Sequence, residues 1–175
     1  MKVLAIAFTV AGLVALGVAG FTVHATSAPR LANAAFSPDQ LVDRWFDALA
    51  RNDADALHRL RVTREEYLDI LVPGTVKPGE PPRRLDEQPR EFFWRLLDTK
   101  SRDFGTEMLE IYGGKRFQKV GIDYSEAPRE YASYRALGLV RVQARNEAGD
   151  LVVVEGPWIA EVDGRFKFIG LDWTD

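Results

Sequence analysis

The feature that most constrains this chain is a change of hydrophobic period at Gly113-Gly114. Before that point apolar residues recur at helical spacing, and after it they alternate. Ser37-Pro38-Asp39-Gln40 opens a helix with a capping hydroxyl, proline at the first position and an acid in the first turn. Leu41, Val42, Trp45, Phe46 and Leu49 then share one face. Asp53 caps a short second helix through Leu57 and Leu60. Thr63-Arg64-Glu65-Glu66 spells a capping box for a third, carrying Tyr67, Leu68 and Leu71 and stopped by Pro73-Gly74. From Pro89 a longer pattern runs through Phe92, Phe93, Leu96, Leu97, Phe104, Met108 and Tyr112, with Gly105 as an expected bend or break.

The period-2 half predicts four strands, Phe117–Tyr124, Tyr134–Arg145, Leu151–Val162 and Arg165–Trp173. Asn146–Asp150 makes one hairpin loop, and Asp163-Gly164 is the two-residue type that closes tight hairpins. Strict alternation puts Tyr134, Ala136, Val140, Val142 and Ala144 on one face of the second strand. It puts Val152, Val154, Trp158 and Val162 on one face of the third, with Ile159 opposite. Helices followed by an antiparallel meander predict an α+β domain, its N-terminal helices packed in the concave face of a curved sheet of four or more strands. Between them, residues 72–88 hold five of the nine prolines. That composition predicts a long loop that neither continues a helix nor pairs centrally in a sheet, the kind that serves as a lid or binding loop.

The first 28 residues are a separate object. Lys2 is their one charge, and residues 3–23 are almost wholly apolar. A charged start, an apolar run and small residues around Ala25 describe a secretory signal cleaved after Ala25. The rival reading is an uncleaved anchor, since about 20 apolar residues span a bilayer. Either way residues 29–36 form a tether and residues 37–175 an exported domain, periplasmic or extracellular. Membrane contact is then expected only through residues 3–23, if they are retained.

Composition removes several functions. With no cysteine there is no disulfide, thiolate nucleophile or Cys-ligated metal. Only His24 and His58 are histidines, which leaves no histidine-rich metal site, and no cofactor motif is present. A net charge of −3 lacks the basic excess of a nucleic-acid binder.

The opening pair SPDQLVDRWFDALARNDADAL and the closing hairpin VDGRFKFIGLDW resemble the nuclear transport factor 2-like superfamily, a cystatin-like cone in which a curved sheet wraps N-terminal helices. The resemblance spans residues 37–175 and implies fold more than activity, because its members include isomerases, dehydratases, hydrolases and non-catalytic accessory domains. An anchor before such a cone also resembles the layout of the inner-membrane subunit of type IV secretion systems.

Three functions follow as expectations. The first is an exported, non-catalytic binding or accessory domain of the cell envelope, taking a small apolar ligand or a protein partner, with homodimerisation allowed. Its expected contact residues are Trp94, Tyr112, Trp158, Arg83 and Arg84, Trp94 being the ring that Phe92-Phe93-Trp94 cannot fit on one buried helix face. The second is a small-molecule isomerase, dehydratase or hydrolase. The resemblance implies a carboxylate in the cone, and Asp172 or Asp123, beside Tyr124, are the candidates at strand ends. The third is a membrane-tethered component of an envelope assembly or secretion system.

Overall fold

The computed structural model describes residues 30–170. The apolar run 3–23, the proposed cleavage site and Asp172 lie outside them. Among the described residues no helix is long and apolar enough to cross a membrane. The elements are α1 (Pro38–Ala50), α2 (Ala54–Arg59), α3 (Arg64–Glu66), a π turn (Tyr67–Leu71), α4 (Val72–Gly74), α5 (Glu87–Tyr112), β1 (Gln118–Tyr124), β2 (Arg129–Glu130), β3 (Arg135–Arg145), β4 (Leu151–Val162) and β5 (Arg165–Phe168). The α+β order is the one the change of period predicts. The sheet is a curved, unclosed antiparallel one, ordered β1-β3-β4-β5, with β2 pairing beyond β1 on the same side of β3.

Helix starts follow local chemistry. Ser37 Oγ accepts from the Gln40 amide at 3.1 Å, and Asp53 accepts from the Ala56 amide at 2.8 Å. The Thr63 capping box is complete in both directions, at 3.2 and 2.7 Å. After Leu71 the chain stays helical through Gly74, so the loop occupies residues 75–86 rather than 72–88. The π turn ends two residues before Pro73, whose ring has no N–H to offer Asp69 and would crowd its carbonyl in a regular α-helix; widening the turn relieves that conflict. α5 runs unbroken for 26 residues through a buried Gly105, where a bend was expected. Asp163 and Gly164 both adopt positive φ, +49° and +68°, as a tight β4–β5 hairpin requires.

The main core lies between α1 and the sheet. Trp45 sits at its centre, edge-on to Phe168 at 5.7 Å, with Leu41, Leu49, Val140, Val142, Val154 and Ile159 around it. Gly156 lets β4 approach this ring: a Cβ there would stand 2.7 Å from Trp45 Cη2. The outer edge of β5 is covered by single bridges, Ala35 to Phe166 and Arg61 to Phe168, which removes an exposed pairing edge.

Strict alternation fails in the middle of the sheet. The β3–β4 register shifts twice between Leu137 and Arg141, opposite Gly156-Pro157. Each irregularity changes which side a given parity faces. Thus Leu137 and Ile159 join the main core with Val140 and Val154, whereas Ala136, Ala160 and Val162 pack in a second cluster with Leu31, Val62, Ile70, Leu71 and Ile169. The sequence expectations for these faces are corrected accordingly: Tyr134 and Ala136 do not share a cluster with Val142, Trp158 and Val162 do not share one with Val154, and Ile159, fully buried, does not lie opposite Val154. Beside this second cluster is the candidate site.

Candidate functional site

A cavity of about 240 Å³ opens next to the second cluster. Each wall has a local cause. The π turn brings Tyr67 and Leu71 to one side, and α4 adds Val72. Ser133 Oγ donates to the Ile70 carbonyl at 2.8 Å, and the Ala132 amide meets the carbonyls of Gly74 and Val76 at 3.1 and 3.0 Å. Those bonds lock the β2–β3 connection onto the helical segment. Gly74 is required at this junction, because a Cβ would overlap Ser133 Oγ at 1.6 Å. Tyr131 and Tyr134 then stack as parallel rings, centroids 4.7 Å apart, on the opposite wall.

Trp158 and Ala136 form the floor from β4 and β3, and Ile169 joins them through a 2.9 Å bond from its amide to the Trp158 carbonyl. The proline-rich loop closes the mouth with Thr75, Arg83 and Leu85, while α5 contributes Phe93. The loop is tied down, with the Arg83 amide donating to Pro73 O at 2.8 Å. Thr75 Oγ1 donates its one proton to the Leu71 carbonyl at 2.7 Å, so in its 3.0 Å contact with the Tyr134 hydroxyl the phenol is the donor. Burial pushes the Tyr134 phenol up to about 12 and raises Tyr67 as well, so both rings stay neutral at ordinary pH.

Two guanidinium groups border this apolar space. Arg129 lies over the Trp158 ring at 4.8 Å and bonds Glu126 at 2.5 Å. Arg83 is exposed at the mouth and has no ion-pair partner among the described residues. None of the lining residues is acidic.

Of the residues predicted from sequence, the cavity brings together Trp158 and Arg83. Arg84 is exposed beside it and does not line it. Phe93 takes the lining role expected of Trp94. Trp94 instead lies half-buried between Tyr67, at 5.8 Å, and the Arg61 guanidinium, at 5.4 Å. Tyr112 is at the far end of α5, edge-on to Phe117 at 5.6 Å. Asp123 is exposed at the end of β1 and accepts the Tyr124 amide at 2.8 Å; Tyr124 is half-buried against the main core. Asp123 and Tyr124 take no part in the cavity. Sequence reasoning missed Tyr67, Tyr131 and Tyr134. The signal available was the spacing of Tyr131 and Tyr134 around Ala132-Ser133, but nothing local says that two rings in a turn will stack.

A second, wider depression runs between α2 and α5, lined by Arg44, Arg59, Arg61, His58, Trp94 and Asp98 among others. Part of its charge is paired: Arg61 and Arg102 share Asp98, and Arg64 pairs with Glu91. Burial, with Arg61 nearby, lowers the His58 pKa and favours the neutral ring. These ion pairs tie the residues between α2 and α3, and α3 itself, to α5. No group of three or more acidic or histidine side chains able to hold a metal occurs among the described residues.

No family model matches the chain, and no curated protein or solved structure proved similar to it.

Proposed function

We propose that this chain is a binding domain whose ligand is a small apolar molecule held in the tyrosine-lined cavity between the π turn and β4. The observation that carries the reading is the contrast between the two apolar regions. The main core is filled by Trp45, Phe46 and Phe168, whereas the space beside Trp158 is open and walled by rings. Concave apolar sites with a few polar groups at the rim are the usual form of small-molecule sites. A volume of about 240 Å³ is below the customary range of roughly 300–1,000 Å³ and suits a single ring with a short substituent.

Binding is favoured over acid–base catalysis because the lining offers no carboxylate or imidazole, and burial holds Tyr67 and Tyr134 neutral. The same proposal takes the domain as an exported accessory module resembling the nuclear transport factor 2-like cone, released or tethered according to the fate of residues 3–23.

The test is a titration of the full chain with p-cresol, a neutral single ring, followed by NMR at the indole N–H groups and assigned with Trp158→Phe. Saturable movement of the Trp158 signal with Trp45 unmoved is the expected result. Equal movement of both, or none, would refute the reading.

A further inference from the structure

Resting on that binding reading, we infer that the cavity selects an anionic ring compound, a single-ring monocarboxylate whose carboxylate meets Arg83 at the mouth. The cavity lining holds two cations, Arg83 and Arg129, and no anion. Glu80 and Glu130 border Arg83 on its outer side, outside the cavity, and neither forms an ion pair with it. Glu126 bonds Arg129 at 2.5 Å, and Glu130 stands 3.9 Å from Arg135 Nε. Glu80 accepts the Lys77 amide at 3.2 Å. Arg129 is thus neutralised and fixed over Trp158, and the uncommitted charge is that of Arg83.

The backbone position of Arg83 is fixed by a hydrogen bond. The amide of Arg83 is bonded to Pro73 O, at the end of the helical segment that supplies Tyr67, Leu71 and Val72. The guanidinium is therefore carried on a braced stretch of loop beside an apolar chamber. A planar guanidinium matches a carboxylate with two parallel donors, and charge-assisted bonds of this kind are roughly twice as strong as neutral ones. An ammonium ligand would meet the like charge of Arg83 and find no counter-charge in the lining.

The chamber decides the remainder of the ligand. Trp158, Phe93 and the three tyrosines offer ring faces and edges, which suit a flat apolar body. At about 240 Å³ the space has room for a single ring with a short substituent and is too small for a long acyl chain. An exposed arginine would otherwise be a solvated surface charge; what distinguishes this one is that it borders an apolar chamber with no acid in its walls.

Calorimetry on the full chain with 4-methylbenzoate, its neutral isostere 4-methylbenzamide and 4-methylbenzylammonium separates the two levels of the proposal. The expected result is benzoate binding about tenfold more tightly than the amide, with the ammonium weakest. Arg83→Gln should abolish the preference for the acid, bringing the ratio of acid to amide affinity to about one. Arg84→Gln, at the exposed neighbour outside the lining, should preserve it. If the amide binds as tightly as the acid, or if the preference survives Arg83→Gln, the charge assignment is wrong and the cavity reading stands. If no compound binds, the cavity reading fails and this inference with it.

Discussion

Lys167 on β5 and Glu66 at the end of α3 form a buried ion pair, 2% and 6% exposed respectively. The ammonium lies 3.0 and 2.9 Å from the two carboxylate oxygens. The same carboxylate accepts the Ala32 amide at 2.5 Å and the Thr63 amide at 2.7 Å. One side chain therefore joins the segment before α1, the start of α3 and the last strand. Removing one member of a buried pair typically costs about 3–5 kcal/mol, because the other charge is left without compensation.

The two single substitutions are unequal here. Lys167→Met leaves Glu66 two amide donors, so the lower end, about 3 kcal/mol, is expected. Glu66→Leu strands the ammonium and also two amide donors, each worth about 1–3 kcal/mol when buried and unpaired, so it should be the more damaging. The double variant has no buried charge and should fall short of the sum by at least about 2 kcal/mol. Denaturant unfolding of the four proteins, read by far-ultraviolet circular dichroism, gives all three quantities if the slopes agree. A Lys167→Met loss under about 1 kcal/mol, or strict additivity, would refute the claim that this pair is desolvated and shared.

Three other outcomes are expected. Gly156→Ala should cost about 1–3 kcal/mol by overpacking against Trp45 and Val140, and Trp45→Phe in the same chain should recover part of it, as thermal melts would record. Thr63→Ala removes the hydroxyl half of the capping box and should cost about 1 kcal/mol in denaturant unfolding. Tyr134 has a raised pKa in the folded protein, so its contribution to stability is complete below pH 10 and is lost as pH rises towards about 12. An ultraviolet phenolate titration should show a late step near 12 that Tyr134→Phe abolishes.

The fold was legible where one residue type has one local consequence. Ser37, Asp53 and Thr63 cap the helices that their positions announce, and Asp163-Gly164 turns the last hairpin. The site was less legible because it depends on departures from regular period. The π turn at Tyr67–Leu71 reads in sequence as ordinary helix, yet it positions Tyr67 and Leu71 on the cavity. The register shifts opposite Gly156-Pro157 reverse the facing of Ala136 and Ile159, and with them the wall that Trp158 completes. The glycine and proline mark an irregular strand, but the cluster each neighbour joins is a tertiary outcome. Glu66 shows the same limit. Its capping role is local, while its pairing with Lys167 spans 101 residues.

The claim that most needs testing is that the space beside Trp158 is a ligand site. Ala136 is buried at 3% exposure and lines that space, so Ala136→Leu adds apolar volume where a ligand would lie. Measured as the p-cresol response of the Trp158 indole N–H, binding should disappear in Ala136→Leu while thermal stability is retained. Binding at wild-type affinity in a folded Ala136→Leu protein would contradict it.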